Sequence, residues 1–104
     1  MDAFVHLVYK ISVEFPKTEI FGVTSQLRRA ALSVILNFIE GYARNGTKSY
    51  KQFLTFSYGS LKEAEYLLVF ASDEKYIKNE KELNEAMAMA NQIGGVLWKT
   101  MQNL

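Results

Sequence analysis

Residues 25–44, SQLRRAALSVILNFIEGYAR, restrict the fold of this chain more than any other segment. At about 100° per residue in an α-helix, six polar residues fall within an arc of roughly 80°: Gln26, Arg29, Ser33, Asn37, Glu40 and Arg44. Apart from Arg28, the other side chains are apolar, small or aromatic. They cover about 240°, more than twice the apolar stripe of about 100° that is typical of a surface helix. The pattern predicts a helix that is buried on most of its sides.

Composition favours one folded domain over residues 1–104, because 49% of the residues are hydrophobic. Twelve Lys and Arg against eleven Asp and Glu give a net charge of +1, so attraction to nucleic acid or membrane requires a local patch. The absence of cysteine excludes disulfides, thiolate nucleophiles and Cys-based metal sites. With neither a signal-peptide pattern nor a long apolar window, we expect a cytoplasmic protein that has no contact with a membrane.

The rest of the chain divides into helical segments at its single proline and at its turn signals. Residues 2–15 carry apolar residues at helical spacing and stop at Pro16. The Asn45-Gly46 pair predicts a turn, after which residues 48–73 form a long amphipathic helix. A fourth helix follows residue 79, and no strand pattern competes. Four helices with short connections predict an all-α fold, an antiparallel up-down-up-down four-helix bundle.

Helix caps are predicted at three of these boundaries. Thr24 or a neighbour is expected to cap the second helix, and Thr47 the third. Asn79, with Glu82 three residues later, is typical of an N-cap and its capping-box partner.

The side-chain inventory offers little for catalysis. The chain has one histidine, His6, and no glycine-rich phosphate loop or histidine–carboxylate pair at metal-ligand spacing. Glu40, Glu63 and Glu65 are similar to the carboxylates of helical di-metal proteins, but those proteins use Glu-x-x-His pairs that this chain lacks. We therefore predict no enzymatic activity, no catalytic residue, no cofactor and no metal site.

The polar stripe of residues 25–44 has two interpretations. It either faces water, or Arg29, Asn37 and Glu40 are partly buried and paired, since a buried charge needs a partner. In the second case the partners are Glu63 and Glu65 of the third helix, or residues of another chain. In both cases the apolar arc exceeds what three neighbouring helices of a small bundle cover, which predicts a homo-oligomer.

Residues 41–62 contain no acid and four bases, Arg44, Lys48, Lys51 and Lys62. Tyrosines lie between these bases, and we expect Arg44, Lys48 and Lys51 to contact the phosphates of RNA or DNA while Tyr42 or Tyr50 stacks on a base. The alternative is an ordinary solvated face on a scaffold that binds another protein and no nucleic acid. The near-neutral net charge favours that alternative.

Three segments carry a resemblance to a known family: TSQLRRA at residues 24–30, NFIEG at 37–41 and GSLKEAE at 59–65. The chain resembles the bacterial four helix bundle protein family, also called the 23S ribosomal RNA intervening-sequence proteins. The resemblance extends over essentially the whole chain, including the helix stop at Phe15-Pro16-Lys17.

The resemblance implies a cytoplasmic homopentamer of four-helix bundles with no established enzymatic activity. Some bacteria encode such proteins within insertions in ribosomal RNA genes. The family is also similar to the accessory protein of diversity-generating retroelements, which is thought to bind nucleic acid and a reverse transcriptase. The resemblance thus implies a nucleic-acid-associated or ribonucleoprotein accessory module.

Overall fold

The computed structural model describes residues 1–104 and contains four α-helices, a single 3₁₀ turn and no strand. The helices are α1 (Asp2–Ser12), α2 (Val23–Ala43), α3 (Thr47–Asp73) and α4 (Glu80–Gln102), and the 3₁₀ turn is Lys17–Glu19. The all-α prediction is confirmed, and the turn at Asn45-Gly46 lies between α2 and α3 as expected. No helix is long and apolar enough to cross a membrane.

Residue contacts show that neighbouring helices run in opposite directions in two pairs, α2–α3 and α1–α4. On α2 and α3, Ser57 Oγ donates to the Val34 carbonyl at 2.6 Å, and Ser60 Oγ donates to Ser33 Oγ at 2.8 Å. Residue numbers therefore decrease along α2 as they increase along α3. On α1 and α4, Lys10 Nζ lies 2.9 Å from Glu82 Oε2, and Phe4 lines a groove together with Ile93, so these two helices also run in opposite directions.

Small residues let the helices approach closely. Six alanines are almost fully buried, and large aliphatic side chains fill the space between them. Gly41 marks the closest approach of α2 to α3, because a Cβ built there would lie 2.8 Å from Phe53 Cβ. The side chains that are almost fully buried are Phe4, Val8, Leu27, Val34, Leu54, Leu61, Leu68 and Leu97.

The first helix ends earlier than its apolar spacing predicts, at Ser12 and not at Phe15. Ser12 Oγ donates to the Val8 carbonyl at 2.8 Å and accepts from Arg28 Nε at 2.8 Å. The chain then turns, and Phe15 enters the core from this turn. The apolar pattern includes Phe15 because it is buried, although it is not helical.

Two of the predicted caps are replaced by other groups. Gly22 is the N-cap of α2, the Val23 N–H donates to Glu19 Oε1 at 3.3 Å, and Thr24 is buried in the first turn. In α3 the N-cap is Gly46, whose φ of 101° favours glycine, so Thr47 is already the first helical residue.

The predicted cap of α4 is confirmed. Asn79 Oδ1 accepts from the Glu82 N–H at 3.1 Å. The reciprocal half of the capping box is absent, because the Glu82 carboxylate binds Lys10 of α1 instead. That carboxylate raises the pKa of the Lys10 ammonium above its ordinary value.

The two ends of the bundle differ. At one end Tyr76 packs against Phe15, and its hydroxyl donates to Glu19 Oε2 at 3.0 Å, which closes the core. At the other end Met101, near the end of α4, lies beside Thr55 of α3. The end of α2 and the first two turns of α3 therefore extend past α4, and we call residues 39–52 the hairpin end.

Candidate functional site

The polar stripe of α2 is divided by the packing of α3. Ser33 and Asn37 are half-buried along α3, where Asn37 Nδ2 donates at 2.8 Å both to the Ser33 carbonyl and to Ser33 Oγ. Arg29 and Glu40 are exposed. Two of the six residues of the stripe are thus half-buried, and the other four face outward.

The five residues proposed as a polar network are not brought together within the chain. Glu40 pairs with Arg44 one turn away, at 2.7 Å, and Glu65 Oε1 lies 3.2 Å from Lys62 Nζ. Asn37 bonds within its own helix, while Arg29 and Glu63 are exposed and make no ion pair in the structure. Acidic and basic residues three or four positions apart meet without help from another helix, so local pairing replaces the network.

Arg28, the one charge in the apolar arc, joins α1 to α2. Its Nε donates to Ser12 Oγ, its Nη2 donates to the Tyr9 carbonyl at 3.3 Å, and its guanidinium lies 4.6 Å from the Tyr9 ring centroid. Sequence reasoning set this residue aside as an exception. The available signal was its position, since a lone charge among apolar residues indicates a specific polar partner.

Three apolar side chains of α2 remain uncovered by the bundle and follow one another at i, i+4 and i+7. The exposed fractions are 37% for Leu32, 57% for Leu36 and 55% for Ile39. Beside them runs an open groove of about 690 Å³, lined by Leu32 and Leu36 together with Tyr9, Ile20 and Arg29. We call Leu32, Leu36 and Ile39 the apolar stripe.

The hairpin end carries all five residues predicted to contact nucleic acid. Lys48 and Lys51 are exposed and have no carboxylate within ion-pair distance. Arg44, by contrast, is held by Glu40 and lies over the Phe53 ring at 5.1 Å. The two free ammonium groups are the strongest candidates for phosphate contacts.

The two tyrosines at this end are placed differently. Tyr42 is 77% exposed and stacks on Phe38 with ring centroids 6.5 Å apart. Tyr50 is half-buried and packs beside Gly41. Tyr42 therefore offers the open ring face, and Tyr50 contributes to the α2–α3 contact.

A second aromatic cluster lies between α3 and α4. Trp98 is 53% exposed, and its ring lies 5.7 Å from that of Tyr58 at an angle of 44°. Lys62 Nζ lies 5.2 Å from the Tyr58 centroid, and the nearby Glu65 carboxylate raises the pKa of this ammonium. Sequence reasoning missed Trp98, because its partners are some 40 positions away in the chain.

A family model described as 23S rRNA-intervening sequence protein matches residues 1–99. The chain belongs to this family. No curated protein matches the sequence.

Membership in the 23S rRNA-intervening sequence protein family confirms the resemblance, and the structure places two of its three segments along the α2–α3 contact. Residues 37–41 end at Gly41, which touches α3, and residues 59–65 include the buried Leu61 and Ala64. Ser60, in the segment of residues 59–65, donates a hydrogen bond to Ser33 of α2. Two of the three family segments seen in this chain therefore lie where α2 and α3 pack.

Proposed function

We propose that this protein is a non-enzymatic accessory module that associates with RNA and assembles as a homo-oligomer, with five subunits as the resemblance implies. The hairpin end and the neighbouring surface of α4 would contact the RNA. The name of the family, which refers to an intervening sequence of 23S rRNA, supports RNA over DNA.

Charge segregation is the observation that carries the proposal. All eleven acidic residues lie outside residues 41–62 and 86–104. These two stretches pack together, as Thr55 beside Met101 and Leu61 beside Gly94 show, and they carry Arg44, Lys48, Lys51, Lys62 and Lys99. Glu40 and Glu65 pair with Arg44 and Lys62, so Lys48, Lys51 and Lys99 are the bases of these stretches that no carboxylate pairs with. They leave this part of the bundle basic, which favours phosphate binding there.

The basic residues would have unequal roles. Lys48 and Lys51 are free to meet phosphates, whereas Arg44 would have to exchange its contact with Glu40 for one with RNA. That exchange costs little, because an exposed ion pair contributes only about 0–1 kcal/mol. Tyr42, with its open ring face, would stack on an unpaired base.

Assembly would multiply this small basic surface. The apolar stripe of α2 is the surface that would be buried between subunits, since contiguous exposed apolar side chains mark interaction sites. Each added subunit brings another basic end to the same RNA, so weak single contacts become avidity.

The proposal is tested by titrating fluorescently labelled RNA with the protein at several salt concentrations and following anisotropy. For single strands, affinity falls as salt rises, and each phosphate contact makes the slope of log affinity against log salt steeper by about 0.7. Replacing Arg44, Lys48 and Lys51 with alanine is thus expected to lower the slope by about 2 for each chain that contacts the RNA.

The matched control replaces Lys17, Lys78 and Lys81, three exposed bases outside the acid-free stretches. It removes the same charge and is expected to leave the slope unchanged. RNA binding that is absent at low salt, or equal losses in both triple variants, would refute the proposal. An intact oligomer without RNA binding would instead favour a scaffold for another protein.

A further inference from the structure

A shallow groove of about 380 Å³ lies between α3 and α4, next to the hairpin end. Trp98 and Tyr58 form one wall, Lys62 lies at one side, and Gly94, Gly95 and Asn91 belong to α4. None of the assigned RNA contacts uses this groove. It combines exposed rings, a cation and an amide, which are the groups that bind a nucleotide.

The glycines make the groove open. A Cβ built at Gly95 would have no atom within 4 Å, and Gly95 lies one helical turn before Trp98. The space over the backbone at this turn is therefore free of side chains. A flat ring is able to lie there against the exposed part of Trp98.

The polar groups suit a base joined to a phosphate. The Asn91 side chain is exposed and carries both a donor and an acceptor, as the edges of all bases require. Lys62 is held near Tyr58 by Glu65, in an exposed ion pair of the kind that contributes only about 0–1 kcal/mol. Its ammonium is thus available to a phosphate at small cost.

The groove is aligned with the hairpin end. Lys51 and Lys62 are separated by three helical turns, so they lie on nearly the same side of α3 and about 16 Å apart. Tyr58 lies between them on that side. A single strand that contacts Lys48 and Lys51 would reach the groove by following α3.

We infer that Trp98 stacks on an unpaired base of the bound RNA, with Lys62 at the adjoining phosphate. The inference rests on the proposed function and deepens it, because it makes single-stranded RNA the ligand. A paired base is already stacked within its duplex and is not available to Trp98.

Trp98 is the only tryptophan in the chain, so its emission reports on this groove alone. Titration with single-stranded RNA is expected to quench the emission, whereas a blunt duplex of equal length leaves it unchanged. Trp98→Ala is expected to weaken single-strand binding about tenfold, as measured by anisotropy, because one stacked base is lost. Trp98→Phe retains a stacking ring and is expected to restore most of the affinity.

Gly95→Leu provides a second variant that keeps the reporter. The new side chain would fill the groove, so quenching should disappear while the helix remains intact. Val96→Ala, a change at an exposed neighbour on the same helix, is the matched control and should behave as the wild type. Circular dichroism verifies that each variant is folded.

The outcomes separate the two proposals. Salt-sensitive RNA binding with unchanged Trp98 emission and unchanged affinity in Trp98→Ala would overturn the stacking inference alone. An absence of RNA binding by anisotropy would overturn the proposed function together with the inference. A change of oligomer mass in Trp98→Ala would also overturn the inference, because Trp98 would then lie between subunits.

Discussion

Replacing Leu36 and Ile39 of the apolar stripe with glutamine is expected to dissociate the proposed homo-oligomer while the bundle stays folded. Both side chains are more than half exposed in the single chain, so their larger contribution would come from association. Glutamine has a helix propensity close to that of leucine and adds no charge. The variant therefore changes the polarity of the stripe and little else.

The exposed fractions give the magnitude. Those of Leu36 and Ile39, 57% and 55%, together equal about one fully buried aliphatic side chain. Burial of one such side chain is worth about 1.5–3 kcal/mol. A loss of about 1.5–3 kcal/mol corresponds to an association constant that is roughly 12- to 140-fold lower for each interface.

Sedimentation velocity over a range of micromolar concentrations measures this change. The matched control places glutamine at Val13 and Val96, two exposed apolar residues outside the stripe, and should keep the wild-type mass. A wild-type protein that is strictly monomeric in this range would refute the reasoning. A double variant that keeps the wild-type mass would show that another surface joins the subunits.

Two further predictions concern the fold. Gly41→Ala is expected to lower the free energy of unfolding in urea by about 1 kcal/mol, because the overlap with Phe53 outweighs the gain in helix propensity; Gly59→Ala, in open space, should raise it. The hydrogen bond to Glu19 raises the pKa of the Tyr76 phenol above 10.0, so its stabilisation is complete below pH 10 and is lost as the pH rises through the folded-state pKa. Across this pH range, the free energy of unfolding measured in urea should therefore fall more in the wild type than in Tyr76→Phe. An equal pH dependence in the two proteins would contradict the assignment.

Much of the fold could be predicted because it depends on local patterns. Apolar spacing located the helices, and the Asn45-Gly46 pair located the turn between α2 and α3. The end of α1 could not be predicted in this way. It depends on Ser12, whose hydroxyl bonds to Arg28 of another helix.

The candidate site was harder to predict because periodicity gives directions around a helix but not the position of its neighbours. The stripe of α2 looked uniform in sequence, yet Ser33 bonds to Ser60 of α3 and is half-buried, whereas Arg29 is exposed. The pairing of Glu40 with Arg44 was accessible from their i, i+4 spacing. The cluster around Trp98 could not be predicted from spacing, since it depends on the register of α4 against α3.

The near-neutral net charge does not decide between an RNA-binding module and a protein scaffold once the helices are placed. Ile39 of the apolar stripe precedes Arg44 by little more than one turn, so an interface along α2 would lead directly to the hairpin end. In a ring with cyclic symmetry, all subunits have the same orientation relative to the ring axis. If the hairpin ends point along that axis, they would therefore all lie at one rim of the ring. Each subunit would then add Lys48 and Lys51 to that rim, while residues 63–85, with seven acids, would lie mainly toward the other. A ring of nearly neutral subunits would thus present RNA with a strongly basic face, and the relevant quantity is the charge of that face.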